Sequence, residues 1–201
     1  MSLDAARGIA YLSYIDSGKP VATKVPLGTV MLVDLNVAAP RVRAALAAEP
    51  PDFRPAGLSL YVSPEGARRL FVIDRGINAP GTVIVFEQGS TGSFEMVRTV
   101  SDSLLTDASA LVAVGPEQFY FTSESGRRGV FAHLLELLGR PSSSAITYYD
   151  GHRMAAAAAG QAKASALQRN ADGTFAATHH QRQLIGSSVQ HQLLLCESPA
   201  K

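Results

Sequence analysis

Arg69-Leu70-Phe71-Val72-Ile73-Asp74, then a Gly/Pro loop, then Gly81-Thr82-Val83-Ile84-Val85-Phe86-Glu87 decide the fold class of this chain. Both runs are short, β-branched and aromatic, which is the pattern of buried strands. Working outward, the same strand–loop–strand phrase recurs. Gly8-Ile9-Ala10-Tyr11-Leu12-Ser13 leads to Gly28-Thr29-Val30-Met31-Leu32-Val33-Asp34-Leu35. Gln118-Phe119-Tyr120-Phe121-Thr122 leads to Ser144-Ala145-Ile146-Thr147-Tyr148-Tyr149-Asp150-Gly151, and a weaker copy runs from Thr174–Thr178 to Gln183–Gly186. Turn signals (Pro64-Glu65-Gly66, Gly115-Pro116-Glu117, Asp172-Gly173) precede the first strand of several copies. Copies begin roughly 50–60 residues apart, as in propeller blades built from four short strands. A β-sandwich of short strands is the alternative; the constant internal order of the phrase favours the propeller.

One segment departs from this rhythm. Val130-Phe131-Ala132-His133-Leu134-Leu135-Glu136-Leu137-Leu138-Gly139 reads as an inserted helix stopped by Gly139 and Pro141. Its thin polar face and lack of Lys or Arg favour packing on its own domain over a membrane or lipid surface. Met154–Gly160 contains five consecutive alanines, which favour a helix, at a place where the repeat calls for a strand. The expected fold is therefore all-β: a partial propeller of three to four blades with one inserted helix, in a single domain over residues 1–201.

Composition narrows the function classes. With 46% apolar and 17% charged residues the chain has a core to bury and is not of the disordered class. A net charge of +1 gives no electrostatic footprint for nucleic acid. The single Cys196 excludes an intrachain disulfide framework or a Cys-rich zinc site, and reads as a structural thiol. No apolar run reaches the roughly 18 residues of a membrane span, and no leader pattern opens the sequence, so a cytoplasmic placement is expected.

Three segments resemble the paraoxonase/arylesterase family: Phe53-Arg54-Pro55-Ala56-Gly57-Leu58-Ser59, Leu70-Phe71-Val72-Ile73-Asp74-Arg75-Gly76 and, most specifically, Leu111-Val112-Ala113-Val114-Gly115-Pro116-Glu117-Gln118-Phe119-Tyr120. The similarity spans about residue 5 to residue 185. It implies a six-bladed propeller whose tunnel holds two calcium ions, and hydrolysis of lactones and aryl esters. In that chemistry calcium, a hard cation taking six to eight oxygens, polarises the carbonyl oxygen while a base activates water.

At the positions that carry the family's chemistry this sequence differs. The first active-site histidine reads Ala56 and the second reads Arg75, after Asp74. The Asn-Asp that supplies a ligand to each calcium reads Ser109-Ala110, and the Thr-Asn-Asp after the next strand reads Thr122-Ser123-Glu124. A further calcium-binding Asn reads Ser165, within Ala164-Ser165-Ala166-Leu167. The family's Glu-Asp pair falls at or before Met1, with only Asp4 near, and Asp74 and Asp107 are the nearest spare carboxylates. The resemblance thus leaves Ser109 and Ser165 as substituted metal positions, and Asp74 and Glu124 as replacement acid or base. Calcium binding is expected to be weak or absent.

Other residues offer less. Adjacent His179 and His180 point to opposite faces of a strand and cannot both ligate from one side; His191 lies further on. Ser59 and Ser63 lack a Gly-x-Ser-x-Gly elbow. Arg68-Arg69 and Arg127-Arg128 read as solvated turn charges, and no phosphate-binding glycine loop is present. Two functions stay open: a calcium-dependent arylesterase or lactonase taking a small ester or lactone, or a non-catalytic propeller serving as a binding module. Six blades would need about 270–300 residues, so an open propeller edge that pairs with a second copy is the expected partner surface.

Overall fold

The computed structural model of the chain describes residues 1–16, 27–76, 81–124, 143–162, 164–169, 175–181 and 190–196. Among the described residues, fifteen strands form four sheets, each a run of consecutive strands, and the longest helical piece is the 3-10 turn Ser103–Leu105. The first sheet contains β1 (Ser2–Asp4), β2 (Ile9–Ile15), β3 (Gly28–Asp34) and β4 (Val42–Ala44). The second contains β5 (Pro55–Val62), β6 (Arg68–Asp74), β7 (Thr82–Gln88) and β8 (Phe94–Ser101). The third contains β9 (Ala108–Ala113), β10 (Phe119–Glu124), β11 (Ser143–Tyr149) and β12 (Met154–Ala162). The fourth has three described strands, β13 (Ala164–Arg169), β14 (Phe175–Gln181) and β15 (Gln190–Cys196).

The all-β expectation holds, and the repeated phrase maps onto the two middle strands of the first three sheets. The second half of the fourth copy, at 183–186, lies outside the described residues; among those described, β14 pairs with β15, Gln190–Cys196. The alanine run forms β12, because pairing with β11 satisfies its backbone and outweighs a weak helical preference. The helix expected at 130–139 and the Arg127-Arg128 pair lie outside the described residues.

The described residues cluster into two compact units: residues 1–106 with 113–117, and residues 107–112 with 118–201. In the first unit, the first two sheets share one core. Tyr11, Val30 and Leu32 of the first meet Leu58, Leu70, Val72, Ile84, Phe86 and Phe94 of the second, with Phe53 from the connecting segment. Strand register explains the selection: Leu70 pairs with Phe86 and Val72 with Ile84, so all four side chains share one face. The other face of β6 and β7 carries Phe71, Ile73, Val83 and Val85, which are also buried. That two-sided burial is why these strands read as unbroken apolar runs.

Sheet edges in this unit are short or irregular. Strand β4 spans three exposed residues, and β8 carries a bulge at Val97, between the Val85–Arg98 and Phe86–Met96 pairs. A bulged edge twists away from further strand addition. Close approach also shapes the core: a Cβ on Gly81 would stand 2.0 Å from the Leu105 carbonyl oxygen. In the second unit, Phe119, Phe121 and Tyr149 form an aromatic group, with the Phe119 and Tyr149 rings 5.0 Å apart. Among the described residues no helix is long and apolar enough to cross a membrane.

Candidate functional site

Each candidate position sits near a strand end or a break in register. Strand β6 ends in Asp74, opposite Pro55 on β5 and Thr82 on β7. The Asp74 side chain is buried, and its Oδ1 accepts the Arg54 backbone N–H at 2.7 Å. The Gly76 amide is a second backbone donor to the same carboxylate. Burial pushes this carboxyl above the ordinary Asp range, and the Asp52 charge adds to the rise; the two amide bonds and the Arg54 guanidinium work against it. Arg75, where the resemblance places a histidine, is exposed.

Ala56, where the resemblance places the other histidine, falls in the register irregularity between Pro55 and Leu58. Ser165 likewise falls in an irregularity, between the Ala164–His179 and Ala166–Thr178 pairs. Both positions therefore lie on irregular backbone, a feature common next to functional sites. Glu124 is the last residue of β10, paired in register with Ser144. On β14 and β15, His180 pairs in register with His191.

In the second unit, Ser109 Oγ lies 3.0 Å from Thr122 Oγ1, and the Ala110 amide donates to that same Thr122 hydroxyl at 3.2 Å. Thr122 is fully buried. Ser109 is thus a strand-to-strand contact with a neutral hydroxyl. A calcium shell asks for several carboxylate or amide oxygens converging on one point. Asp74, with its two backbone donors, and Ser109, with its Thr122 partner, do not fit that demand. Among the described residues no three His, Cys, Asp or Glu side chains are grouped to hold a metal.

Sequence reasoning missed the side chains that hold the family-like segment 113–117 in place. Ser59 is buried, and its Oγ accepts the Ala113 amide at 3.0 Å across 54 residues of sequence. Arg69 Nη1 donates to the Pro116 carbonyl at 2.9 Å, and its Nε meets Glu87 Oε2 at 2.8 Å. Arg98 Nη1 meets Glu117 Oε2 at 2.6 Å. Arg68-Arg69 is therefore not a solvated turn pair. Both residues begin β6, and Arg68 Nε pairs with Asp4 Oδ2 at 2.7 Å in a site where the side chains are 10% and 2% exposed. The signal available was the apolar strand that starts immediately after them.

Comparison with known proteins agrees with the segments that hold this geometry. A family model described as Arylesterase matches residues 15–179. The mouse (Mus musculus) serum paraoxonase/lactonase 3 is 25% identical over 162 residues, covering 79% of this chain and 46% of that protein. The chicken (Gallus gallus) serum paraoxonase/arylesterase 2 is 28% identical over 174 residues, covering 82% and 49%. The human (Homo sapiens) serum paraoxonase/arylesterase 1 is 27% identical over 153 residues, covering 74% and 43%. The chain spans about half the length of the curated relatives it matches.

Proposed function

The chain belongs to the arylesterase family, and we propose that it carries a paraoxonase-type propeller scaffold whose calcium-dependent hydrolysis of esters and lactones is impaired or lost. One observation carries this reading. Asp74, the buried carboxylate beside the two substituted histidine positions, accepts from the Arg54 and Gly76 amides, while those positions hold Ala56 and Arg75. No imidazole stands at either position to activate water. Ser109 and Ser165 at the substituted metal positions supply only neutral hydroxyl groups, weak partners for a hard cation. On this reading the scaffold acts as a binding module.

The test combines turnover and stability. With phenyl acetate and a γ-lactone as substrates, the chain is expected to show no turnover that EDTA removes. A bound ion stabilises by RT ln(1 + [L]/Kd), which is about 2.7 kcal/mol at a hundredfold excess over Kd. Millimolar calcium is therefore expected to leave the melting temperature unchanged. EDTA-sensitive hydrolysis would overturn the proposal.

The second reading keeps an active site with Asp74 as replacement base and Glu124 as its acidic companion. The upward push that burial exerts on Asp74 favours it, since a base works best with a pKa near the working pH. Its mark would be hydrolysis that Asp74→Asn abolishes at unchanged fold. The partner proposal, self-association of an open propeller, is checked by light scattering: a monomeric mass removes it.

A further inference from the structure

The two buried carboxylates of the first unit are held in different ways. Asp4 has a guanidinium partner in Arg68, whereas Asp74 is held by backbone amides, at the junction of three segments. The Arg54 amide donates to Asp74 Oδ1 at 2.7 Å, and the Arg54 carbonyl accepts the Arg75 amide at 3.0 Å. Segment 52–54 is thereby clasped to the end of β6 from both sides. One residue back, Phe53 is fully buried in the shared core, and its carbonyl accepts the Leu27 amide at 3.1 Å. The clasp therefore reaches the start of β3 in the first sheet.

The clasped segment is not relaxed. Asp52 holds φ at 55°, in a turn closed by the Phe53 amide on the Pro50 carbonyl at 3.3 Å. Left-handed backbone at a residue with a side chain persists where its surroundings hold it.

We propose that Asp74 is a proton-responsive joint of the first unit: with a neutral carboxyl the clasp on segment 52–54 stays closed, and ionisation loosens it. A neutral carboxyl keeps a carbonyl oxygen for the Arg54 amide and buries no charge. The carboxylate keeps the same bond but is held away from water, so exposure to solvent favours it. The charges acting on it are Asp52 and Arg54 from the clasped segment, with Arg75 next in the chain just beyond β6; Thr82, opposite on β7, carries no charge. Asp52 opposes ionisation and Arg54 supports it, with burial the largest influence.

The direction of the pH response follows from linkage. A carboxyl raised in the folded state above its ordinary 3.8 contributes stability that is full below that value. That contribution is lost as pH rises through the folded value. Acid tightens this joint, the reverse of a latch held by a carboxylate in an ion pair.

Amide hydrogen exchange on the full chain, read by NMR beside the carboxyl-carbon titration of Asp74, tests the proposal without reference to hydrolysis. After correction for intrinsic exchange, protection of the Arg54 and Gly76 amides is expected to fall several-fold as Asp74 ionises. The Val85 amide in mid-β7 should hold its protection. Asp74→Asn should flatten the Arg54 profile, and Asp52→Asn, which removes the like charge, should move its midpoint to lower pH. Should Asp74→Asn fail to fold, the wild-type and Asp52→Asn profiles decide the matter. Protection that stays level through the Asp74 titration, or rises with pH, overturns the proposal.

Discussion

Arg68 Nε stands 2.7 Å from Asp4 Oδ2, joining the second strand of one sheet to the first strand of another across 64 residues. Asp4 Oδ1 also accepts the Arg7 amide at 3.3 Å, and Arg68 Nη1 donates to the Gly66 carbonyl at 2.7 Å. Nearby, the Leu60 amide donates to Ser2 Oγ at 3.0 Å. The contact between the first two sheets is thus apolar in its middle and pinned by charge at one end.

Removing one partner of a buried ion pair leaves the other charge stranded. Arg68→Met is expected to destabilise the chain by about 3–5 kcal/mol. The double variant Arg68→Met/Asp4→Asn should recover a large part of that loss. Chemical denaturation of both variants checks this; a double variant as unstable as the single one would mean that the guanidinium matters through packing instead.

Beside that pair, the Tyr11 hydroxyl is fully buried and has no hydrogen-bond partner among the described residues. Burial, followed by the Asp4 charge, pushes its ionisation upward, so it is a neutral phenol at working pH. Its ring packs edge-on against Phe94 with centroids 5.5 Å apart. Tyr11→Phe keeps that contact and removes an unsatisfied polar atom, so stability is expected to be unchanged or to rise by about 1–2 kcal/mol. A fall in melting temperature would reveal a partner for the hydroxyl.

Ser59→Ala is predicted to have the opposite outcome. It strips the buried Ala113 amide of its acceptor and should cost about 1–3 kcal/mol. Ser59→Thr keeps the oxygen and should lose less, provided the added methyl finds room. Thermal melts of both variants separate the lost bond from the change in side-chain volume.

Two acids should respond to pH with opposite sign. Asp150 accepts the amides of His152 and Arg153, both at 2.8 Å, in the turn between β11 and β12, and the Arg153 bond leads in holding its carboxyl below the ordinary range. Its contribution is present above an ordinary Asp value and lost as pH falls through the folded one. Asp74, raised by burial, does the reverse. Asp150→Asn should therefore weaken the acid-side loss of the β11–β12 turn, while Asp74→Asn should weaken the loss on raising pH. Residue-resolved exchange across pH 3–7 distinguishes them (a window of about four units around the ordinary Asp value).

The strands were legible because both faces of β6 and β7 are buried, so their composition had to be uniformly apolar. The Arg68-Arg69 dipeptide was misread for a related reason. Its charges lie at the mouth of such a strand, and only the partners Asp4, Glu87 and Pro116 show that both are engaged, Arg68 in a buried pair. The alanine run was ambiguous because Ala carries little strand signal of its own; pairing with β11 decided it.

From sequence alone came the all-β class, the repeated strand pair, the family, and the expectation, by resemblance, that Ala56, Arg75, Ser109 and Ser165 stand at its histidine and calcium positions. Those properties are local, written in runs of side chains and in motif spacing. Tertiary structure decided what the remaining polar groups do: Asp74 clasps Arg54, Ser109 meets Thr122, and Ser59 holds Ala113. Hydrogen bonds and burial between residues far apart in the chain depend on how the strands are brought together. A carboxylate that reads as a free base in sequence is, in the fold, already bonded to the backbone.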